Sequence, residues 1–277
     1  MAKKIRITVT LDPQTVERID KLIDGEKIRS RSHAIEFFLS QNLKPKIEQA
    51  VILAGGKGVR WRPLTYQIPK ALIPIKGKPI LEIIIESLKN YSIKKIFVVI
   101  GTLGEKIKEY FGDGKKLGVK IYYVQDKKQK GTAPALKSVE NFIKKETFLL
   151  WYVDELAEID LSDFVNFHFE HKGIATMAIS SISDPKGYGI VKMKGPKIVE
   201  FTEKPKKEKI KSYLVNAGIF VFEPEIFNYI LPSTLSLEKE VFPKLVKEKK
   251  LFGYFFGGKW FDIGIPENYL KALKEWK

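Results

Sequence analysis

A glycine-rich segment carries the clearest chemistry in this chain. Residues 53–58 read Leu-Ala-Gly-Gly-Lys-Gly, and the cations Arg60 and Lys70 follow them. Glycines let the backbone approach a phosphate closely, and the cations neutralise its charge. The segment is neither a Gly-x-x-x-x-Gly-Lys-Ser/Thr loop nor a dinucleotide fingerprint, because Gly56-x-Gly58 lacks the third glycine. The order strand, glycine-rich turn, helix therefore predicts an anion site of unspecified kind.

Later polar segments sharpen this interpretation through their order along the chain. Arg60 is followed by Pro63-Leu64-Thr65 and then by Pro69-Lys70. Downstream come, in order, Gly131-Thr132-Ala133, Asp154 after a buried strand, Tyr188-Gly189, Glu203-Lys204-Pro205, Asn216-Ala217-Gly218 and Trp260-Phe261-Asp262-Ile263-Gly264. Together these segments resemble the sugar-phosphate nucleotidyltransferases, also called nucleoside-diphosphate-sugar pyrophosphorylases, over about residues 50–273.

The resemblance implies a reaction between two phosphate compounds. An oxygen of a sugar 1-phosphate attacks the α-phosphorus of a nucleoside triphosphate, and pyrophosphate leaves. Because two anions must be held in line, the protein's contribution is positioning and charge neutralisation. The resemblance makes Arg60 and Lys70 the catalytic residues. Arg60 grips the triphosphate and the leaving pyrophosphate, and Lys70 neutralises the phosphates at the reacting centre.

The same resemblance assigns the binding residues. Asp154 and Asp262 are expected to hold Mg²⁺, since oxygen ligands suit this hard cation. Lys204 is expected to hold the sugar phosphate, and Glu203 to accept hydrogen bonds from sugar hydroxyls. The implied nucleotide-binding residues are Leu53, Ala54, Gly55, Gly56, Gly58, Gly131 and Thr132, and the implied sugar-phosphate-binding residues are Gly189, Glu203, Lys204 and Asn216. The sequence identifies neither the base nor the sugar.

Several positions depart from the family pattern. Val59 stands where the family has Thr, Val153 stands where it has a small Gly before the metal-binding Asp, and Pro134 replaces a small residue. Lys130 stands at a usually apolar position, and Glu155 adds a carboxylate beside Asp154. The charged residues all remain, which favours an enzyme. The two substitutions Val153 and Pro134 leave open a domain that binds a nucleotide or nucleotide sugar without efficient turnover.

The first fifty residues predict a second, smaller module. Residues 4–11 alternate strictly between polar and apolar side chains, which indicates a strand. Asp12-Pro13 then opens a helix that we expect to end at Gly25, and Ser30 caps a second helix. About forty residues are too few to be stable alone, and a lone strand cannot bury its face. Residues 3–43 resemble the ribbon-helix-helix family of DNA-binding dimers.

In that family the strands of two chains pair into a ribbon that lies in the major groove. The resemblance implies that the outward residues of the strand face DNA and that the start of the second helix holds a DNA phosphate. The DNA-binding residues implied are Lys4, Arg6, Thr8, Thr10, Ser30 and Arg31. An arm that only dimerises the protein is the alternative, and a transcription regulator that senses a nucleotide sugar is a further one.

The elements between the motifs predict how they are positioned. Short β-rich runs alternate with helical patterns from residue 50 onward, which is typical of βαβ units and a mostly parallel sheet. We expect strands at 50–53, 95–100, 119–124, 147–153 and 214–222, a hairpin at 189–192 and 198–201, and helices at 79–88, 104–111, 132–145 and 266–277. The predicted fold is an α/β Rossmann-like mixed sheet with flanking helices, residues 47–277, preceded by the ribbon-helix-helix domain, residues 1–46.

Composition excludes some classes of protein. The chain has 277 residues, no cysteine and a net charge of +16. Disulfides and thiolate sites are excluded, and the charge suits DNA, nucleotides and sugar phosphates alike. No apolar run approaches the ~18 residues of a membrane span, and the N-terminus has no signal-peptide pattern. The expected protein is cytoplasmic, without a membrane partner, and a homodimer or higher oligomer through its N-terminal arm.

Overall fold

The computed structural model describes residues 5–42, 46–143, 145–206, 208, 210 and 212–276. The chain divides into two compact units, Met1–Pro45 and Lys46–Lys277. The helices within the described residues are α1 (Pro13–Asp20), α2 (Arg31–Asn42), α3 (Ile80–Asn90), α4 (Gly104–Phe111), α5 (Thr132–Lys137), α6 (Glu140–Ile143), α7 (Leu161–His171), α8 (Phe242–Lys247) and α9 (Pro266–Glu275). The strands are β1 (Gln49–Ala54), β2 (Pro74–Ile75), β3 (Lys78–Pro79), β4 (Lys95–Ile100), β5 (Lys120–Gln125), β6 (Phe148–Tyr152), β7 (Glu155–Ala157), β8 (Ala175–Ser181), β9 (Gly189–Lys194), β10 (Lys197–Glu203), β11 (Leu214–Phe222), β12 (Leu251–Phe255) and β13 (Trp260–Asp262).

The small unit contains α1 and α2, and both begin where the sequence predicted. The Asp12 carboxylate accepts a backbone N–H of the first turn of α1 at 2.9 Å. The Ser30 hydroxyl accepts one from the first turn of α2 at 3.2 Å. These contacts satisfy helix N–H groups that have no partner within the helix. The first helix ends at Asp20 rather than near Gly25, which instead adopts a positive φ of 76° in the following loop.

The alternating segment before α1 does not form a strand within this single chain. Residues 5–11 have no strand pairing, and their apolar side chains face solvent: Ile5 is 86% exposed and Ile7 is 70% exposed. The predicted strand over residues 4–11 is therefore wrong for the isolated chain. The physical reason is that a strand needs a hydrogen-bonded neighbour, and the predicted neighbour belongs to a second copy. Lys4 lies outside the described residues.

The large unit is built on a nine-stranded mixed sheet of order β5-β4-β1-β6-β11-β8-β12-β10-β9. Strand β1 pairs in parallel with β4 and β6, and β4 pairs in parallel with β5. Strand β11 is antiparallel to both β6 and β8, which makes the sheet mixed. The predicted hairpin is confirmed, since β9 and β10 pair in antiparallel fashion. The α/β fold and the mixed sheet agree with the prediction, but the neighbouring strands described form four parallel and four antiparallel pairs, so the sheet is not mostly parallel.

Both faces of the sheet are buried. Along β1, Ala50 and Ile52 belong to one apolar cluster, whereas Val51 belongs to the other. Helices α3, α4, α7 and α9 contribute to the first cluster, and α5, α6 and α8 contribute to the second. A strand that is covered on both faces has a continuous run of apolar residues in its sequence. This explains why β1 and β4 could be predicted from the sequence.

The helix predicted over residues 79–88 is confirmed as α3, whereas the helix predicted over residues 132–145 differs from the structure. No α-helix follows the glycine-rich turn directly: short 3-10 turns at Val59–Trp61, Leu64–Tyr66 and Lys70–Leu72 lead to α3 instead. These turns hold the chain close to the sheet edge and place Arg60 and Lys70 beside it. The helix predicted over residues 132–145 is two shorter helices, α5 and α6.

A small antiparallel ribbon supports one side of the sheet edge. Strand β7 pairs with β13, and Glu155 lies directly opposite Asp262. Side chains at opposed positions share a face of the ribbon, so these two carboxylates lie on the same side. The ribbon thus links Asp154, which follows β6, to a segment more than a hundred residues later in the chain. No helix among the described residues is long and apolar enough to cross a bilayer.

Candidate active site

A cleft of about 690 Å³ lies where β1 and β6 end. This is where open α/β sheets bind ligands, since strand ends leave a crevice lined by loops. The structure brings most of the predicted site residues to this cleft. Its lining includes Leu53, Gly55, Gly56, Arg60, Lys70, Gly131, Thr132, Asp154, Gly189, Glu203, Lys204, Asn216 and Asp262. Ala54 and Gly58 are the two predicted cleft residues that do not line it.

The glycine-rich loop packs directly over Lys70. A Cβ placed on Gly56 would lie 3.8 Å from the Lys70 ammonium. Gly58 adopts a positive φ of 58°, and its carbonyl accepts a hydrogen bond from the Thr65 hydroxyl at 2.7 Å. A Cβ on Gly58 would meet the Thr65 side chain at 2.7 Å. Gly58 therefore shapes the loop from behind, which explains why it does not line the cleft.

Charged side chains converge at the centre of the cleft. The Lys70 ammonium donates to the Asp154 carboxylate. Asp262 accepts the Gly264 N–H at 2.8 Å. A Cβ placed on Gly264 would lie 2.7 Å from Asp262 Oδ1, 2.8 Å from Asp154 Oδ2 and 3.6 Å from Arg60 Nη2. Arg60 and the two carboxylates are thus grouped around Gly264, and Lys70 joins them through its ion pair with Asp154, although these residues come from distant parts of the sequence.

The two carboxylates differ in their proton affinity. Burial raises the pKa of Asp154, but the adjacent Lys70 ammonium outweighs it and holds that pKa below its ordinary value. Burial and the neighbouring Asp154 charge raise the pKa of Asp262 to about 6. The repulsion between the two carboxylates is the kind that a bound cation relieves.

The donor set suits a divalent oxygen-seeking cation. Asp154 and Asp262 both present carboxylate oxygens to the same cleft, and Mg²⁺ is usually held by one or two carboxylates together with substrate phosphates. Among the described residues no group of three or more His, Asp or Glu is arranged to hold a metal by itself. A cation at Asp154 and Asp262 would complete its coordination with oxygens of water and of a bound phosphate compound.

One end of the cleft is organised by Glu238, a residue that sequence reasoning missed. Its carboxylate accepts hydrogen bonds from the hydroxyls of Thr132 at 2.7 Å, Tyr152 at 2.6 Å and Ser236 at 2.7 Å. Thr132 in turn accepts the backbone N–H of Leu237 at 3.0 Å. The predicted nucleotide loop is thus fixed to a segment a hundred residues later. The sequence signal was slight, because Glu238 lies in a Glu-Lys-Glu run, residues 238–240, that belongs to none of the motifs.

The same cleft lining carries the predicted sugar-phosphate residues. A Cβ on Gly189 would lie 2.9 Å from the Glu203 carboxylate, so Gly189 leaves room for that side chain. Glu203 pairs with the Lys204 ammonium at 3.3 Å. Burial raises the pKa of Glu203 above its ordinary value. Asn216 accepts the Gly218 N–H at 2.9 Å, which fixes its amide at the cleft wall.

The sequence departures have different consequences. Val153 borders the cleft, but it is only 2% exposed and its side chain belongs to the first apolar cluster. Pro134 lies in the first turn of α5, where a backbone N–H has no partner within the helix, so the helix tolerates it. Val59 is 58% exposed and does not line the cleft. Glu155 is buried, and burial with the charges of Asp262 and Asp154 raises its pKa well above the ordinary value.

The predicted DNA-binding residues of the small unit are exposed. Arg6, Thr8 and Thr10 face solvent along the segment before α1. Arg31 is also exposed but is paired with Asp20 at 2.6 Å, so a phosphate would have to compete with this carboxylate. Ser30 already serves as the cap of α2.

Comparison with known proteins places both units in families. A model described as nucleotidyl transferase matches residues 49–277, and one described as ribbon-helix-helix protein, copG family, matches residues 5–44. A bifunctional protein GlmU from Methanococcus maripaludis is 38% identical over 230 residues, which cover 80% of this chain and 53% of that protein. A UTP–glucose-1-phosphate uridylyltransferase from Synechocystis sp. is 36% identical over 243 residues, which cover 82% of this chain and 62% of that protein.

Solved structures agree with the family match. A Bacillus anthracis protein crystallised with sucrose, and described as a glucose-1-phosphate thymidylyltransferase, superposes with a TM-score of 0.76 at 26% identity, covering 82% of this chain and 94% of that one. This chain spans only about half of the length of the GlmU relative, 53%. The family resemblance seen in the motifs is confirmed. The chain belongs to the nucleotidyl transferase family and carries a ribbon-helix-helix unit at its N-terminus.

Proposed function

We propose that this protein transfers a nucleotidyl group from a nucleoside triphosphate to a sugar 1-phosphate, releasing pyrophosphate. The observation that carries the proposal is the convergence of Arg60, Asp154 and Asp262 around Gly264, with Lys70 paired to Asp154, in one cleft. Joining two phosphate compounds requires their negative charges to be neutralised while an oxygen of one approaches phosphorus of the other. A cleft with cations at its centre and polar walls at both ends meets that requirement.

Different parts of the cleft lining have separate tasks in this proposal. The glycine-rich loop and the Gly131–Thr132 loop bind the nucleoside triphosphate, and Arg60 holds its β- and γ-phosphates until they leave as pyrophosphate. The part of the lining that contains Glu203 and Lys204 binds the sugar 1-phosphate. Lys70 reduces the charge repulsion between the attacking phosphate and the α-phosphate.

We further propose that Asp154 and Asp262 hold a Mg²⁺ ion together with substrate phosphates. When bound, the ion supplies positive charge to the phosphates and orients them. Without it, Lys70 is the cation paired with Asp154. The role of Lys70 then changes during binding, because the incoming phosphates and the metal compete for its pairing with this carboxylate.

The test is pyrophosphate release by the purified full chain with Mg²⁺, across a panel of nucleoside triphosphates and sugar 1-phosphates. Asp154→Asn removes a central carboxylate charge and is expected to lower kcat by about 10²- to 10³-fold. Asp113→Asn is the matched control, since Asp113 is an exposed loop residue that does not line the cleft. Turnover that Asp154→Asn leaves unchanged contradicts the proposed site.

An absence of turnover with every pair would favour the second candidate. In that case the large unit would bind a nucleotide or nucleotide sugar and serve as a sensor, with Val153 as the suspected obstacle, since it replaces the family's small residue next to Asp154. Titration calorimetry with nucleotide sugars distinguishes a sensor from an unrelated function. Val153→Gly is then expected to restore measurable pyrophosphate release.

We propose that the small unit binds DNA as a dimer. The observations behind it are the ribbon-helix-helix match over residues 5–44 and the exposed polar positions Arg6, Thr8 and Thr10. Duplexes selected from a random-sequence pool are used in a gel-shift assay. Arg6→Ala/Thr8→Ala is expected to weaken binding at least tenfold, whereas Arg18→Ala, an equal loss of charge on α1, is expected to have a smaller effect. Undiminished binding by the double variant would leave an arm that serves assembly only.

A further inference from the structure

Four lysines lie at the edge of the large sheet where the parallel strands β4 and β5 begin. Strand β4 starts at Lys95 and β5 starts at Lys120, while Lys94 directly precedes β4 and Lys89 lies in the last turn of α3. We call this the strand-start edge. The cleft lies where the strands end, and these four described lysines do not belong to its lining. The proposed reaction therefore does not explain them.

Two of these lysines lie side by side. Lys95 and Lys120 are opposed in the parallel pairing of β4 with β5, so their side chains share one face of the sheet. The Lys95 ammonium lies 5.1 Å from the centre of the Phe97 ring, and the Lys120 ammonium lies 5.1 Å from that of Tyr122. These two rings stack on each other at 5.2 Å. Two positive charges are therefore held over neighbouring rings.

The other two lysines add charge beside this pair. The Lys120 backbone N–H donates to the Lys94 carbonyl at 2.7 Å, so Lys94 lies next to the start of β5. A Cβ placed on Gly118, two residues before Lys120, would be 3.6 Å from the Lys89 ammonium. The dipole of α3 favours a cation in its last turn, which accounts for Lys89. It does not account for the three lysines at the strand starts.

The fold supplies no carboxylate partner for these charges. Among the described residues, none of the four lysines forms an ion pair. Gln49 lies opposite Lys95 on β1, and its amide oxygen, which carries no net charge, accepts the Lys95 ammonium at 3.1 Å. Asp113, in the turn before β5, already pairs with Lys115 at 3.0 Å. Like charges at opposed positions repel, and an external polyanion relieves that repulsion.

We propose that the strand-start edge is a second DNA-binding surface, which contacts phosphates flanking the duplex segment held by the small unit. This inference rests on the proposed DNA binding of the small unit. That unit ends at Pro45 and β1 begins at Gln49, so the chain tethers the edge to it. A tether raises the effective concentration of the second surface without requiring a fixed arrangement of the units. Duplex DNA carries one negative charge per about 1.7 Å, so it can contact several adjacent ammonium groups at once.

The salt dependence of DNA binding tests this inference. Lys89→Gln/Lys94→Gln/Lys120→Gln removes three exposed charges and keeps Lys95, whose ammonium bonds Gln49. The binding constant of the full chain is measured against salt concentration, with a duplex selected from the random-sequence pool and extended on both sides. Each lost phosphate contact is expected to make the slope of log K against log salt less steep by about 0.9, so the triple variant changes it by about 2 to 3. Its affinity at about 0.1 M salt is expected to fall about 10- to 100-fold.

Two controls separate contact from general charge. Lys192→Gln/Lys194→Gln/Lys197→Gln removes the same charge from the exposed β9–β10 hairpin at the other side of the sheet, and its slope is expected to stay within about 0.5 of the wild type. On a duplex trimmed to the selected segment, the wild type and the triple variant of the strand-start edge are expected to bind within about threefold of each other, because the flanking phosphates are missing. Pyrophosphate release is expected to be unchanged in both variants, since none of the replaced lysines lines the cleft.

Several outcomes would overturn the inference. Equal slopes for the triple variant and its matched control show that the edge does not contact DNA, while DNA binding by the small unit still stands. An equal loss of affinity on the extended and trimmed duplexes also overturns it, because flanking phosphates are then not involved. So does a triple variant that loses binding to phosphatidylserine vesicles but not to DNA.

Failure of the proposed DNA binding by the small unit is distinguishable. In that case Arg6→Ala/Thr8→Ala binds the selected duplex as tightly as the wild type, and the inferred flanking role loses its basis even if the triple variant weakens binding. A wild type that binds no duplex overturns both proposals.

Discussion

Replacing Gly264 with alanine tests whether the carboxylate geometry is what the cleft depends on. The added methyl would lie 2.7 Å from Asp262 Oδ1 and 2.8 Å from Asp154 Oδ2. Gly264 is not among the residues with positive φ, so alanine meets no backbone strain there. The added methyl group therefore displaces the two carboxylates and leaves the backbone fold unchanged.

The size of the effect follows from these distances. Each carboxylate oxygen must move by about 0.6 Å to reach ordinary van der Waals separation from the methyl group. Since a displacement of about 1 Å at a reacting centre costs about 10²-fold in rate, we expect kcat/KM to fall about 10- to 50-fold. The free energy of unfolding changes little, because each carboxylate oxygen lies at the end of a side chain that can rotate. The expected shift in Tm is less than about 3 °C for a unit of this size.

The assay is pyrophosphate release by Gly264→Ala at several Mg²⁺ concentrations, with a thermal melt of each protein. Gly257→Ala is the matched control, since a Cβ on Gly257 has nothing within 4 Å. It is expected to keep the wild-type rate. A Gly264→Ala protein that is folded and retains kcat/KM within about twofold refutes the reasoning that these carboxylates are fixed around the glycine. A loss of rate accompanied by a much lower Tm also refutes it, because the damage would then be to the fold.

Three further predictions concern other parts of the chain. Glu238→Ala removes the acceptor of three hydroxyl groups, so we expect the KM for nucleoside triphosphate to rise about tenfold while the KM for sugar 1-phosphate is unchanged. Equal rises in both KM values would contradict the role of Glu238 in nucleotide binding. Burial raises the pKa of Glu223, but its hydrogen bond from His168 helps to outweigh burial and holds that pKa below the ordinary value of 4.5. The ionised Glu223 carboxylate therefore stabilises the fold above about pH 4.5, and this stabilisation is lost as the pH falls. In thermal melts from pH 7 to pH 3, the Tm of Glu223→Gln should approach that of the wild type, and a constant difference in Tm would contradict this. Asp12→Ala removes the cap of α1, so we expect it to lower the DNA affinity of the proposed dimer without changing pyrophosphate release, which gel-shift and activity assays together would check.

Sequence predicted the central strands well because their burial is visible in composition. Strands β4 (Lys95–Ile100) and β11 (Leu214–Phe222) have the predicted bounds, since both are apolar runs covered on two faces. The helix expected over residues 132–145 broke into α5 and α6, because apolar spacing does not show where a chain turns around a neighbouring loop. The strand expected over residues 4–11 needs a second chain, which a single sequence pattern does not supply.

The residues of the candidate site were also predicted only in part from the sequence. Arg60, Lys70, Asp154 and Asp262 were found because each lies in a motif with fixed neighbours, and the cleft holds all four. The hydrogen-bonding role of Glu238 was not found, because its partners Thr132 and Tyr152 come from segments about a hundred residues away. Glu155 was noticed only as a departure from the family pattern. Its burial depends on how β7 packs, which is a property of the folded chain.

In the proposed dimer, the exposed apolar segment before α1 would link the folding of the small unit to the amount of protein present. Among the residues of that unit whose burial is described, Ala34 is the one buried hydrophobic residue, so a single copy has almost no core of its own. Folding that is completed by a second copy is second order in chain concentration. We therefore expect two melting transitions, of which the lower rises with concentration while the transition of the large unit stays fixed. At low protein concentration the large unit would stay folded, whereas the small units would no longer pair. The fraction of DNA sites occupied would then fall faster with decreasing protein concentration than the rate of pyrophosphate release.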